Sequence, residues 1–396
     1  MGKLPDLDLG EKANAFRDEV RQWLGAKWDR KYTEAELALP VNERLANREF
    51  SRTLGRKGWL GVSWPKQYGG QGRSAFEQLV FEEEMAYAEA PIGWHLASVN
   101  MMGPTIREFG SKEQRERMLP EILKGNVCFC LGYSEPDHGS DLAGLKTRAI
   151  QDGSEWVIRG QKLYTSTASY ANYCWLAART DPNAVPSHAG ISVFIVPMTT
   201  PGITLQPLTG LNDHRSNIVF WDDVRIPESA VVGEVNGGWK VITAALAFER
   251  VALASVAARG RAYFDKLVDH VMHAERNGKP MRFDTLVRDK IASLAAEIEA
   301  ARLLAVQTAR LIDEGAVPAH EAAMSKVYSG ELMERLAEAA FDLLGSGASL
   351  KGGARSALID GAFEFCIRDA FLYVIGGGTN EIQRTLIALR GLGLPR

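Results

Sequence analysis

The stretch CLGYSEPDHGSDLAGLKTR, residues 130–148, decides how this chain is read, together with EWVIRGQKLYTS at 155–166 and NYCWLAART at 172–180. It is the one long region with the period of strands and turns rather than of helices. A Ser-Glu-Pro turn and a Gly-Ser-Asp turn precede alternating apolar and polar positions, the pattern of half-buried strands. Small hydroxyls, backbone N–H groups and aromatics gather here without a packed apolar face of their own. That composition suits a flat cofactor ring with a hydrogen-bonding edge and an apolar face. It also serves an ordinary series of β-turns.

Outward from this stretch, 126 to about 237 keeps a strand-like period. The expected strands are 127–133, 155–165, 172–180, 190–197 and 217–226, separated by turns rich in Pro, Gly and Asp. Strands so closely spaced predict a small antiparallel barrel or sandwich. Before them, helices are expected at 10–26, 41–56, 75–90 and 94–109, with a Gly- and aromatic-rich loop, KGWLGVSWPKQYGGQGRS, at 57–74. Ser111 and Gln114 match a capping box for a further helix that Gly125 would close. After the strands, helices are expected at 238–276, 284–314, 319–345 and 356–372, then a Gly-rich turn and a last helix from Glu381. The chain therefore reads as an α+β protein: an N-terminal helical domain (1–125), a middle β domain (126–237) and a C-terminal four-helix bundle (238–396).

Composition narrows the function. The chain has 396 residues, 46% of them hydrophobic and 24% charged, with a net charge of −3. There is no basic field or tract to draw nucleic acid. The longest stretch poor in charge, VITAALAFERVALASVAA at 241–258, carries Glu249 and Arg250 at its middle. Each central charge costs roughly 2.5–3.5 kcal/mol in a bilayer, so the stretch reads as a buried helix and no membrane segment is expected. The start of the chain has no apolar core of a signal peptide. Cys128, Cys130, Cys174 and Cys366 form no C-x-x-C pair, so neither zinc nor a redox dithiol is signalled. Reduced thiols in the cytoplasm are the simplest account.

Five motifs in order carry a resemblance: GWLGVSWPKQYGGQG, YSEPDHGSDLAGLKTRA, GQKLYTSTASYANYCWLAART, LAFERVALA and GGGTNEIQR. The chain resembles the acyl-CoA dehydrogenase flavoprotein family over nearly its whole length. The resemblance implies the three-part fold, FAD bound non-covalently and shared with a neighbouring subunit, and an acyl-CoA thioester lying against the flavin. It implies an electron-transfer flavoprotein or similar acceptor, and a homotetramer or a heterotetramer with a related subunit. Flavin contacts would come from Leu131, Tyr133, Ser134, Gly139 and Ser140, and from Tyr164, Thr165 and Ser166. Many members have Trp where Tyr164 stands. Arg276 matches the arginine that reaches the pyrophosphate of the adjacent subunit's flavin; its planar fork suits a diphosphate. Asp342, Gly345 and Gly347 fall where a Gln…Gly-Gly segment meets the adenosine half, and an acid at 342 is unfavourable there. Thr379 and Glu381 match the last FAD-touching pair.

The reaction of this family needs a carboxylate to take the α-proton. Many members carry it as a Glu directly before the Gly-Thr of the C-terminal turn, where this chain has Gly377. Others, including isovaleryl-type and actinobacterial steroid-degrading enzymes, place it on the first helix of the bundle, where Glu249 stands. Physical reasoning agrees: an acid among aliphatic neighbours is desolvated and therefore a stronger base. An internal pair with Arg250 or Arg259 is the other use of such a residue, although adjacent residues point about 100° apart on a helix. Arg250 and Gly377 are expected to line the thioester, Arg250 by facing the pantetheine. Room left by glycines at 376–378 favours a branched or bulky acyl group. The motifs look most like the actinobacterial steroid side-chain enzymes, which often pair a catalytic subunit with one lacking the acid. A non-catalytic FAD-binding subunit and a same-fold oxygenase or reductase are the competing readings.

Overall fold

The strand-like stretch is a single eight-stranded sheet in the computed structural model of the protein, which describes residues 4–28, 38–252 and 255–395, with side chains at 27, 249–252 and 255 outside the described set. The strands are β1 (Phe129–Gly132), β2 (Arg148–Asp152), β3 (Glu155–Lys162), β4 (Tyr173–Arg179), β5 (Ile191–Pro197), β6 (Ile203–Thr209), β7 (Arg215–Pro227) and β8 (Val231–Val232). Their order is β6-β7-β3-β2-β4-β5-β8, with β1 pairing β4. β4 and β5 are buried along nearly their whole length, as their continuous apolar runs demand. β7 alternates for most of its length, and its Val219, Trp221, Val224 and Ile226 join Trp156, Ile158 and Phe194 in one core.

Two features depart from the antiparallel expectation. β1 runs parallel to β4, with Cys130 opposite Cys174, and β2 meets β4 in parallel at Arg148 and Arg179. The segment between β1 and β4 contains the β2–β3 hairpin, long enough to bring the chain back in its original direction. β2 and β6 escape a reading by periodicity because both are largely exposed. With little apolar surface to bury, they carry no alternation to detect.

The helices, numbered in chain order, are α1 (Glu11–Lys27), α2 (Val41–Arg44), α3 (Arg48–Arg56), α4 (Ala75–Tyr87), α5 (Gly103–Phe109), α6 (Lys112–Leu123), α7 (Gly238–Ala252), α8 (Ser255–His273), α9 (Thr285–Asp313), α10 (Ala319–Leu344), α11 (Ala362–Ile375) and α12 (Asn380–Leu386). The helix expected at 41–56 is broken, because Asn47 accepts from Phe50 N–H and starts α3 anew. Ser111 and Gln114 form the predicted capping box of α6. The helix expected from 356 begins only at Ala362, after Gly361 at φ +72°. Among the described residues no helix is long and apolar enough to cross a membrane.

The chain divides into two compact units. One comprises 1–29, 74–90 and 250–396; the other comprises 30–73 and 91–249. In the first, α8 to α11 bury Leu267, Ile298, Leu332, Leu336, Phe363 and Cys366. There Arg17, Arg261 and Arg302 bond the carbonyls of Leu7, Leu4 and Pro5, which fastens the segment before α1.

Candidate functional site

Within the sheet unit, the loop after β1 is organised by a buried ion pair. Lys162, 0% exposed at the end of β3, donates to Glu135 Oε1 at 2.8 Å and to the Tyr133 carbonyl at 3.1 Å. Glu135, 6% exposed, also accepts from the backbone N–H groups of Lys146 (2.7 Å) and Thr147 (2.9 Å). Burial pushes the Glu135 carboxyl up, but Lys162 and the N–H donors outweigh it and hold it below the ordinary range. The pair closes residues 133–147 into a loop fastened to β3. The Gly160 bulge allows this, since a Cβ there would lie 2.7 Å from Thr147 Oγ1.

The segment Leu163–Ser166 is fastened on both sides. Leu163 N–H donates to the Ser134 carbonyl at 2.8 Å. Asn217, 2% exposed, brackets Thr165: its carbonyl accepts from Thr165 N–H at 3.0 Å and its Nδ2 donates to the Thr165 carbonyl at 3.1 Å. Asn42 Nδ2 donates to the carbonyls of Ser166 (3.0 Å) and Arg215 (2.9 Å) and its Oδ1 accepts from Arg215 N–H at 2.8 Å. Tyr164 sits between these anchors at φ +58° with 64% of its surface exposed. A left-handed tyrosine costs on the order of 1–3 kcal/mol and persists only where the surroundings over-determine it.

The predicted residues of this half separate by what they offer. Ser134, Tyr164, Thr165 and Ser166 are brought together by the bonds above. Leu131 is half-buried on β1, while Gly139 and Ser140 are exposed on the fastened loop. The Tyr133 phenol points inward, where its hydroxyl accepts from Trp175 Nε1 at 3.1 Å. These residues fit a flat heterocycle such as the flavin of FAD. Thr165 Oγ1 is buried without a hydrogen-bond partner, Tyr164 presents an open ring, and nothing lies within 4 Å of a Cβ added at Gly139.

The other unit holds the C-terminal turn. α11 ends at Ile375, Gly377 and Gly378 adopt φ +66° and +85°, and Thr379 caps α12 by accepting from Ile382 N–H at 3.3 Å. Gln383 Nε2 donates to the Gly377 carbonyl at 2.9 Å. Glu381 is exposed, and its own N–H and the Thr379 hydroxyl hold its carboxyl below the ordinary range. In the same unit, exposed Arg276 donates to the Leu343 carbonyl at 3.2 Å. That bond sets it beside the end of α10, where Gly345 at φ +66° has open space around it. Asp342 there pairs with Lys290 at 3.2 Å, which offsets the acid that looked out of place in the sequence. Glu249 and Arg250 belong to α7, whose backbone is helical, but their side chains lie outside the described residues.

Sequence reasoning missed Asn42, Asn217, Glu135 and Lys162. Their role is to hold backbone, and they come from positions far apart in the chain. A lysine at an inward position of a strand is the one signal that was available, since lysine is almost never fully buried unless paired.

Three family models match in chain order: the acyl-CoA dehydrogenase N-terminal domain at 10–126, its middle domain at 130–224 and its C-terminal domain at 236–392. Acyl-CoA dehydrogenase FadE26 of Mycobacterium tuberculosis is 39% identical over 390 residues, covering 96% of each chain. Among solved structures, the Tcur3481–Tcur3483 steroid ACAD matches with TM-score 0.89 and 36% identity, over 98% of this chain and 100% of that one. The ChsE4–ChsE5 complex of Mycobacterium tuberculosis matches with TM-score 0.89 and 36% identity, over 99% and 100%.

Proposed function

The chain belongs to the acyl-CoA dehydrogenase family of FAD-dependent oxidoreductases, and from that premise we propose that it dehydrogenates a CoA thioester with a bulky, branched or steroid side-chain acyl group, using Glu249 as the base. The observation that carries this reading is the C-terminal turn. Gly377 stands where many members carry the acid, and its φ of +66° is one a glutamate rarely adopts. The acid of the alternative position, Glu249, lies on α7, in a stretch (241–258) whose one other charged residue is its neighbour Arg250.

In this reading Glu249 takes the α-proton as the α C–H bond breaks. The β-hydrogen leaves as hydride, and the product is the 2,3-unsaturated thioester. FAD, when bound, supplies the hydride acceptor. Leu131, Ser134, Tyr164, Thr165 and Ser166 would position its ring, with Tyr133, Gly139 and Ser140 on the same loop. Thr379 and Glu381 would meet it from the C-terminal turn, and Arg276 with Gly345 would meet that of a neighbouring subunit. Arg250 would face the CoA arm, and Gly377 leaves the acyl group room. The division into domains 1–125, 126–237 and 238–396, a reducing cytoplasmic setting and an electron-transfer flavoprotein as acceptor belong to the same proposal.

The bulky substrate rests on the steroid enzyme among the structural relatives and on the side-chain-free turn. Both structural relatives named above are two-protein assemblies, which favours an oligomer of this chain with a related subunit; carrying Glu249, it would be the catalytic half. The test is anaerobic mixing of purified protein with a panel of CoA esters, following loss of the flavin's visible absorbance. Steroid side-chain esters should reduce it, and Glu249→Gln should slow that reduction by about 10²–10⁴-fold while FAD stays bound. Equal rates in parent and variant would sink the assignment of the base. A panel in which no ester reduces the flavin would favour a non-catalytic subunit or a same-fold oxygenase.

A further inference from the structure

We infer that Lys326 is a positioning residue, whose buried ammonium ties the end of α11 to the start of α12 and so sets the turn from which Thr379 and Glu381 meet the cofactor. This rests on the reading that those two residues contact FAD. Three consecutive glycines, Gly376–Gly378, form the turn, and Gly377 and Gly378 are both left-handed. Glycine loses more conformational freedom on ordering than any other residue, and it brings no side chain to hold itself in place. The geometry of such a turn has to be imposed from outside.

Lys326 lies on α10 and is 4% exposed. Its Nζ donates to Asn380 Oδ1 at 2.8 Å and to the Val374 carbonyl at 3.3 Å. Val374 sits in the last turn of α11, where free carbonyls and the negative end of the helix dipole attract a cation. Asn380 is the first residue of α12 and is itself buried. One ammonium therefore grips both flanks of the glycine turn. Asn380 Nδ2 in turn donates to Glu331 Oε1 at 3.1 Å, and Arg384 donates to the same oxygen. The amide is thus oriented at both ends, its oxygen toward the ammonium and its nitrogen toward the carboxylate. Burying a lysine is costly, and a hydrogen bond with a charged partner is stronger than a neutral one. A methionine would fill the same space without that cost, so the placement points to orientation of the turn.

The test uses the holoenzyme with Lys326→Met, Asn380→Ala and the double variant. FAD affinity is read from flavin fluorescence released on dilution, and far-UV circular dichroism at the same dilution reports folding. Each single variant should bind FAD about tenfold more weakly, which is about 1.4 kcal/mol. The double variant should be no weaker than the weaker single one, because both substitutions break the same bond. Circular dichroism should not change. The inference is overturned if FAD affinity stays within about twofold of the parent, if the two losses add, or if FAD leaves only as the fold is lost. Should Lys326→Met fail to fold, Asn380→Ala still removes the bond from its other end and decides by the same affinity threshold. A parent that binds no FAD overturns the functional reading as well; a parent that binds it, with unaffected variants, overturns this inference alone.

Discussion

Gly377 holds a left-handed backbone angle in the C-terminal turn. A residue with a side chain at φ +66° pays on the order of 1–2 kcal/mol, so restoring the acid to the turn should not restore the chemistry. In a Glu249→Gln background, Gly377→Glu should leave flavin reduction by the CoA ester at the level of the single variant; recovery toward the parent rate would contradict this. The Lys162–Glu135 pair makes a second case. Lys162→Met strands a buried carboxylate, and should cost about 3–5 kcal/mol in urea unfolding. Glu135 is depressed in the fold, so its contribution is present above the ordinary carboxylate range and is lost as pH falls through its lowered value. The stability gap between parent and Lys162→Met should therefore narrow on acidification, and a gap that widens would refute the pairing. Glu135 and Gly377 were both visible as letters in the sequence. What was not visible is that Glu135, on the loop after β1, saturates itself with backbone N–H groups and a lysine from β3.

At the scale of elements, the loop, the bulge and the strand ends work together. Gly160 is at φ +143°, and a Cβ there would meet Thr147 backbone at 2.8 Å. Gly160→Ala should destabilise the protein by about 1–3 kcal/mol and weaken flavin retention, because Thr147 is one of the anchors of Glu135. A variant with parent stability would show that the loop adjusts freely. Most elements were legible. The long helices α9 and α10 follow from periodicity, the capping box of α6 from the identities of Ser111 and Gln114, and the buried strands β4 and β5 from their apolar runs. β2 and β6 did not, because a strand with both faces largely open has no apolar alternation. The parallel pairing of β1 with β4 was equally hidden, since pairing partners far apart in sequence leave no local mark.

For the whole molecule, the division along the chain differs from the division in space. The N-terminal helices read as one block, yet α1 and α4 fall in the unit of the C-terminal helices, while residues 38–73 and 91–125 fall in the unit of the sheet. In the first unit the extended start of the chain is held by arginines from three helices. Burial pushes the Asp6 carboxyl up, but hydrogen bonds from Arg21 and Arg261 outweigh it and bring it from 3.8 to about 2. Asp6 therefore contributes stability above 3.8 that is lost as pH falls through about 2. Asp6→Asn should lower the urea midpoint at neutral pH, and parent and variant should converge across that acid window. A constant difference across it would mean that the effect does not come from the charge.

The amino-acid sequence alone determined the order of helix, sheet and helix, the family, the missing acid at Gly377 and the acid left in α7. Those depend on local period and on residue identity, which are written along the chain. Tertiary structure alone decided that Asn42 and Asn217 hold a left-handed tyrosine, that Glu135 meets Lys162, that Asp342 is neutralised by Lys290, and that Lys326 grips a turn of glycines. Each is a hydrogen bond or ion pair between residues distant in sequence, and only a folded backbone brings such partners within reach.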